Sequence, residues 1–222
     1  MKRISLILVF IHLLFFFSSC FYNEKTVNAF INSTIFIDPG HGGKDNGTHY
    51  EDIFEDELNM KLSSILYEMI INEGGFCYLS RIADYDLSST YAKNHKQEDL
   101  TKRVQYIDSM NTTLFISLHL NYYSSDLVNG LQVFYQKNNK ESQEFAQLLQ
   151  NNLNSENLKN KKCKWGDYFI LNQTKSPGVL VEYGFLSSEY DRKRLLDEKY
   201  LKHLAKIIKQ SISEYLSLKM KY

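Results

Sequence analysis

Two histidines and one glutamate sit in places that folding alone explains poorly. His41 stands in "IFIDPGHGG", between glycines just past an apolar run, His119 in "LFISLHLN", and Glu182 in "GVLVEYGF". A lone strand histidine is usually a hydrogen-bonded core residue, and a lone strand carboxylate is usually half of an ion pair. Glu182 resists that account, because an unpaired carboxylate buried in so apolar a run costs several kcal/mol of desolvation. It calls for a cation or a reacting water beside it. Two imidazoles suit a borderline-soft cation, and zinc hydrolases commonly add a carboxylate and keep a fourth position for water. The acids on offer crowd "EDIFEDELNM": Glu51, Asp52, Glu55, Asp56 and Glu57. Favourable interaction with a helix N-terminus accounts for most of these without any metal.

The elements around these residues place them together. Apolar residues recur at three- and four-residue spacing from Leu58 to Ile70, predicting a helix that Gly74 and Gly75 close. Strands are predicted at "TIFIDPG", Phe76–Arg81, Leu114–Asn121, Gly130–Gln136 and Gly178–Phe185. Helices are predicted at Asp99–Met110, Lys140–Leu153, Glu189–Leu196 and Tyr200–Leu218, with a surface loop over Ile82–Glu98 and an irregular basic loop before the last strand. This alternation predicts an α/β fold: a single open, mostly parallel twisted sheet with helices on both faces. Functional groups then gather at the carboxyl ends of the strands, where His41, His119 and Glu182 all fall.

The chain has 222 residues, 43% hydrophobic and 23% charged, with no net charge, which fits one globular domain and a short appendage. Apart from "KNKKCK" at Lys159–Lys164 there is no basic block, so nucleic acid is not an expected partner. Lys2 and Arg3 followed by the apolar stretch Ile4–Phe17 have the order of an export signal. "FSSC" resembles a lipoprotein signal ending at Cys20, with Phe17 where Leu is usual. Residues 1–20 are therefore read as a signal peptide, lipoprotein signal or N-terminal membrane anchor, residues 21–33 as a linker, 34–218 as the catalytic domain and 219–222 as a tail. The expected location is outside the cytoplasmic membrane, which the chain meets only through its N-terminal segment. Cys77 and Cys163 have no ligand spacing and read as free thiols. "GGK" at residues 42–44 is no phosphate loop, since Asp38 takes the place of its first Gly and Asp45 that of its Ser or Thr.

Taken in order, "IDPGHGG", "EDELNM", "FISLHLN" and "GVLVEYGFLSS" resemble the zinc-dependent N-acetylmuramoyl-L-alanine amidase family 3 from Thr34 to the final helix. Within it, "EDLTKRVQYIDSMNTTLFISLHLN" and "YFILNQTKSPGVLVEYGFLSS" are most similar to amidases that prepare spore-cortex peptidoglycan for germination. Glu189 in "SSE" and Asp56 depart from the usual pattern. The resemblance implies Zn²⁺ as cofactor, His41, Glu55 and His119 as its ligands, Glu182 as the catalytic carboxylate, and peptidoglycan as substrate. The implied reaction cleaves the lactyl amide between N-acetylmuramic acid and L-alanine, a step toward muramic-δ-lactam in cortex, in the forespore intermembrane space. The competing readings are an inactive peptidoglycan-binding scaffold of the same fold and a zinc deacetylase or peptidase acting on another wall component. Arg103 is expected to hold a loop by hydrogen bonds. His49, Asp45 and His95 are expected to stay outside the ligand set. Some relatives carry an inhibitory helix after the "GLQVFY" strand; here Lys140 opens the next helix almost at once, so restraint is expected to come from timing, location or a partner protein.

Overall fold

The structure, a computed structural model, describes residues 28–220. The expected N-terminal export segment and Cys20 lie outside the described residues. A six-stranded sheet is built from β1 (Thr34–Pro39), β4 (Phe76–Leu79), β5 (Leu114–Asn121), β6 (Gln132–Tyr135), β7 (Lys164–Trp165) and β8 (Gly178–Phe185) in the spatial order β4-β1-β5-β8-β6-β7. The pairs β4–β1, β1–β5 and β5–β8 are parallel, whereas β6 runs antiparallel to β8. The reversal follows from the link between β5 and β6, which contains no crossover helix to bring the chain back parallel.

The helices are α1 (Glu55–Ile71), α2 (His95–Ser109), α3 (Lys140–Leu153), α4 (Phe169–Gln173), α5 (Glu189–Leu195) and α6 (Glu198–Lys219). Strand alternation divides the core in two. Ile35, Ile37, Ile116, Val179 and Val181 face the large cluster with Leu62 and Leu66 of α1, Phe145 of α3 and Leu204 and Ile208 of α6. Phe36, Phe115 and Leu180 face a small one, with Ile107 of α2 and Ile170 and Leu171 of α4. Ala29 and Phe30, in the segment read as a linker, are buried in the large cluster.

The mostly parallel sheet covered on both faces agrees with the sequence, and three local details differ. Helix α2 starts at His95, because the Asn94 side chain caps it by accepting the Gln97 N–H at 3.1 Å. The basic loop contains β7 and α4. Helix α1 stops at Ile71, before Gly74, whose φ of 78° carries the turn into β4.

Candidate active site

Period-two alternation puts Asp38 of β1, Ser117 and His119 of β5 and Glu182 of β8 on the sheet face that bears the small cluster. His119 and Glu182 are partners in the parallel β5–β8 register, with an irregularity just after His119. Because only α2 and short α4 pack against this face, the carboxyl ends of its strands open into a cleft of about 280 Å³, lined by His41, Glu55, His119, Tyr168 and Glu182 among others.

His41 reaches the cleft from a turn that L residues rarely adopt. Its φ is 61°, and Gly42 and Gly43 follow at 123° and 65°. Left-handed backbone at a histidine costs of order 1 kcal/mol and persists only where its surroundings hold it. Two buried arginines do so: Arg81 donates to the carbonyls of Pro39 and Gly40 (3.1 and 3.0 Å), and Arg103 to those of Pro39 and His41 (2.8 and 2.7 Å). Arg103 also pairs with Asp38 at 2.8 Å, and Asp38 accepts the hydroxyls of Ser80 and Ser117, each at 2.6 Å. Burial alone would raise the Asp38 pKa, but the Arg103 charge and the two hydroxyls outweigh it and hold the carboxyl below its ordinary range. Arg103 thus holds the loop as the sequence led one to expect; Arg81, its counterpart, carried no signal beyond its type. Gly40 is required by contact, since a Cβ there would lie 2.3 Å from His119 Cε1.

Glu55 opens α1. The first free N–H groups of the helix are capped by the loop, with Glu55 N–H donating to Thr48 O and Asp56 N–H to Asn46 O, so its side chain need not cap its own helix. Glu55 Oε2 accepts the Thr48 N–H at 2.8 Å, and Oε1 accepts the Leu120 N–H at 2.9 Å. Oε1 also stands 3.3 Å from His41 Nε2 and 3.1 Å from His119 Nδ1. Ligands about 2.0–2.1 Å from a tetrahedral zinc lie roughly 3.3 Å apart, so both separations match that polyhedron. One ligand atom from each of His41, Glu55 and His119 falls within 4.8 Å of the others. The donor set, two imidazoles and a carboxylate, fits zinc. Burial would raise the Glu55 pKa, yet the hydrogen bonds and charges of His119 and His41 keep it far below the ordinary carboxylate range.

Asp45, expected to stand outside the ligand set, touches the cluster: its Oδ2 lies 3.1 Å from His41 Nδ1. Such a carboxylate fixes the tautomer so that Nε2 faces a metal. The four-residue interval from His41 was visible in the sequence, but its meaning depends on the left-handed turn. Burial would lower the His41 pKa; hydrogen bonds and charge from Asp45 and Glu55 raise it to about 9. His49 is exposed beside Phe54, in the hairpin of β2 (His49–Tyr50) and β3 (Ile53–Phe54), and His95 Nδ1 lies 2.7 Å from Ser88 Oγ. Neither joins the cluster.

Glu182 is 7% exposed. Tyr168, which the sequence did not single out, approaches its Oε1 with the phenol oxygen at 3.4 Å, while Oε2 is buried without a hydrogen-bond partner. Burial pushes the Glu182 pKa up to about 7. A desolvated carboxylate with one orphaned oxygen, beside a group of potential metal ligands, is suited to taking and returning a proton near neutral pH.

Comparison with known proteins converges on one family. The family profile described as N-acetylmuramoyl-L-alanine amidase matches residues 35–214. The germination-specific N-acetylmuramoyl-L-alanine amidase of Bacillus subtilis is 30% identical over 228 residues, covering 99% of this chain and 96% of the relative. The CwlD amidase of Clostridioides difficile, solved in complex with the GerS lipoprotein, superposes with a TM-score of 0.80 at 33% identity, covering 84% of this chain and all of that one. A further N-acetylmuramoyl-L-alanine amidase from Clostridium difficile 630 gives a TM-score of 0.75 at 26% identity over 83% of this chain and 97% of its own. On a likeness that spans the sheet, the cleft and nearly the whole chain, this protein belongs to the N-acetylmuramoyl-L-alanine amidase family.

Proposed function

We propose that the chain is a zinc-dependent N-acetylmuramoyl-L-alanine amidase of spore-cortex peptidoglycan, with His41, Glu55 and His119 as metal ligands and Glu182 as the catalytic carboxylate. The observation that carries this reading is the orphaned, buried Oε2 of Glu182 beside a two-imidazole, one-carboxylate cluster. An amide is a poor electrophile and neutral water a poor nucleophile. When bound, zinc supplies Lewis acidity that polarises the lactyl carbonyl and makes water easier to deprotonate. Glu182 Oε2 accepts the proton of the attacking water and returns it to the alanine nitrogen as the C–N bond breaks, serving first as general base and then as general acid. Burial favours this exchange by bringing the carboxyl pKa close to the working pH. The Tyr168 hydroxyl holds Oε1 and leaves Oε2 for the proton. Asp45 orients the His41 ring, and the two arginines keep its strained turn in place.

The cortex assignment draws its support from the germination-specific relative and from the amidase solved with a lipoprotein. The same likeness supports an extracytoplasmic setting and a regulatory or activating protein partner. Among the described residues no helix is long and apolar enough to cross a membrane. Residues 1–20 are proposed to export or anchor the domain of residues 34–218.

The test is digestion of purified cortex and vegetative peptidoglycan, with and without a chelator, followed by mass analysis of products. Free stem peptides beginning with L-alanine, lost on chelation and restored by zinc, are expected. Released acetate would replace this reading with a deacetylase, and binding without product would replace it with a scaffold.

A further inference from the structure

The cleft has an apolar wall and a charged rim. Leu100, Ile170 and Leu180 form the wall, the last two nearly inaccessible, and Lys96 stands on the rim by His41 and Asp45. Lys96 and Leu100 are one turn apart on the same face of α2, about 6 Å along its axis. Arg103, two turns from Lys96, is fully engaged by Asp38, Asp99 and the carbonyls beneath the His41 turn. Lys96 is engaged far less. Its side chain is 73% exposed, and its ion-pair partner among the described residues is Asp45, at 3.9 Å, whose carboxylate already holds His41 at 3.1 Å. An ammonium so weakly committed can turn to a second anion at little cost.

We propose that Lys96 is a specificity-determining residue that recognises a carboxylate on the peptide leaving group. This rests on the amidase reading above. The nitrogen released belongs to L-alanine, and the glutamate that follows, joined through its γ-carboxyl, keeps a free α-carboxylate. With the alanine nitrogen at Glu182, the alanine methyl meets the apolar wall at Leu100. The next residue lies one chain step on, about 3.8 Å between backbone centres with the carboxylate beyond it. That reach matches the step along α2 from Leu100 to Lys96.

The experiment uses the zinc-loaded full chain and two soluble substrates: N-acetylmuramoyl-L-alanyl-D-glutamate with its γ-carboxyl blocked as a methylamide and its α-carboxylate free, and the same compound with the α-carboxylate also amidated. The wild type is expected to favour the free carboxylate about fivefold in kcat/KM, as a rim charge contact allows. In Lys96→Ala the ratio should fall to about one, and in Lys96→Glu it should invert. Absence of preference in the wild type, or a ratio unmoved by both substitutions, overturns the assignment of Lys96 and leaves the amidase reading standing. If the wild type cleaves neither compound and zinc-loaded Glu182→Gln binds neither by calorimetry, the amidase reading falls and this proposal with it.

Discussion

At the scale of single residues the proposed mechanism divides the site into groups that hold and one that transfers a proton. Glu182→Gln keeps the shape and loses the basic oxygen, so peptidoglycan hydrolysis should drop by at least about 10²-fold, the low end of a general base's contribution, while bound zinc measured by mass spectrometry stays the same. Asp45→Asn weakens the hold on His41 Nδ1 and should lower zinc affinity about 10–100-fold in a competition assay. His41→Ala should abolish zinc binding and His49→Ala should leave it intact, since only the former reaches Glu55. The four residues of the proposed site were named from the sequence by two routes. His41, His119 and Glu182 stood out as polar residues at strand ends, whereas Glu55 was one acid among five at a helix N-terminus and was distinguished only by family likeness. Tyr168 and the contact of Asp45 were hidden because each depends on loop geometry that leaves no periodic trace.

At the scale of elements, the cleft depends on a turn braced from behind. Arg103 is buried, and its removal strands the Asp38 charge, so Arg103→Ala should cost about 3–5 kcal/mol in denaturant unfolding. Lysine at that position keeps the charge but lacks the fork that reaches Asp38, Asp99 and two carbonyls, so Arg103→Lys should recover only part of the loss. Gly40→Ala tests the contact of the turn after β1 with β5. Its Cβ would invade the His119 ring, so a folded protein with zinc affinity reduced at least about tenfold is expected, as for a displaced ligand support. The long helices were legible through their apolar periodicity. The start of α2 was not, because an Asn cap inside a polar stretch looks like more loop. Strand β7 and helix α4 are too short for periodicity to show and exist because β6 and β8 offer them surfaces.

For the molecule as a whole, the site's charges set how stability varies with pH when no metal is bound. Glu182 has a raised pKa, so the folded state holds its proton more tightly than the unfolded chain, and stability declines as pH rises from about 4.5 through about 7. His41 acts in the same sense: its stabilisation is complete below about 6.5 and is lost as pH rises through about 9. Asp45 works oppositely. Its pKa is lowered to about 2, chiefly by the His41 hydrogen bond, so its contribution is present above the ordinary carboxylate range and is lost on strong acidification. The metal-free protein should therefore show its highest thermal midpoint near pH 5, by order of magnitude of these shifts. Zinc bound at His41 as proposed would displace its proton, so calorimetry near neutral pH should record proton release and an affinity that rises with pH toward about 9. A buffer-independent binding heat would contradict this.

The sequence by itself determined the parallel core of the sheet, the helices that pack on it and the strand ends at which polar residues collect. These follow from periodicity and local backbone preference, which act over a few neighbours. Only the tertiary structure decided which carboxylate meets both imidazoles, which oxygen of Glu182 is left without a partner, and how two distant arginines grip one turn. Those facts depend on contacts between residues 14 to 65 positions apart and on burial. Desolvation, which pushes the Glu182 pKa up to about 7, belongs to the packed molecule and to no single stretch of it.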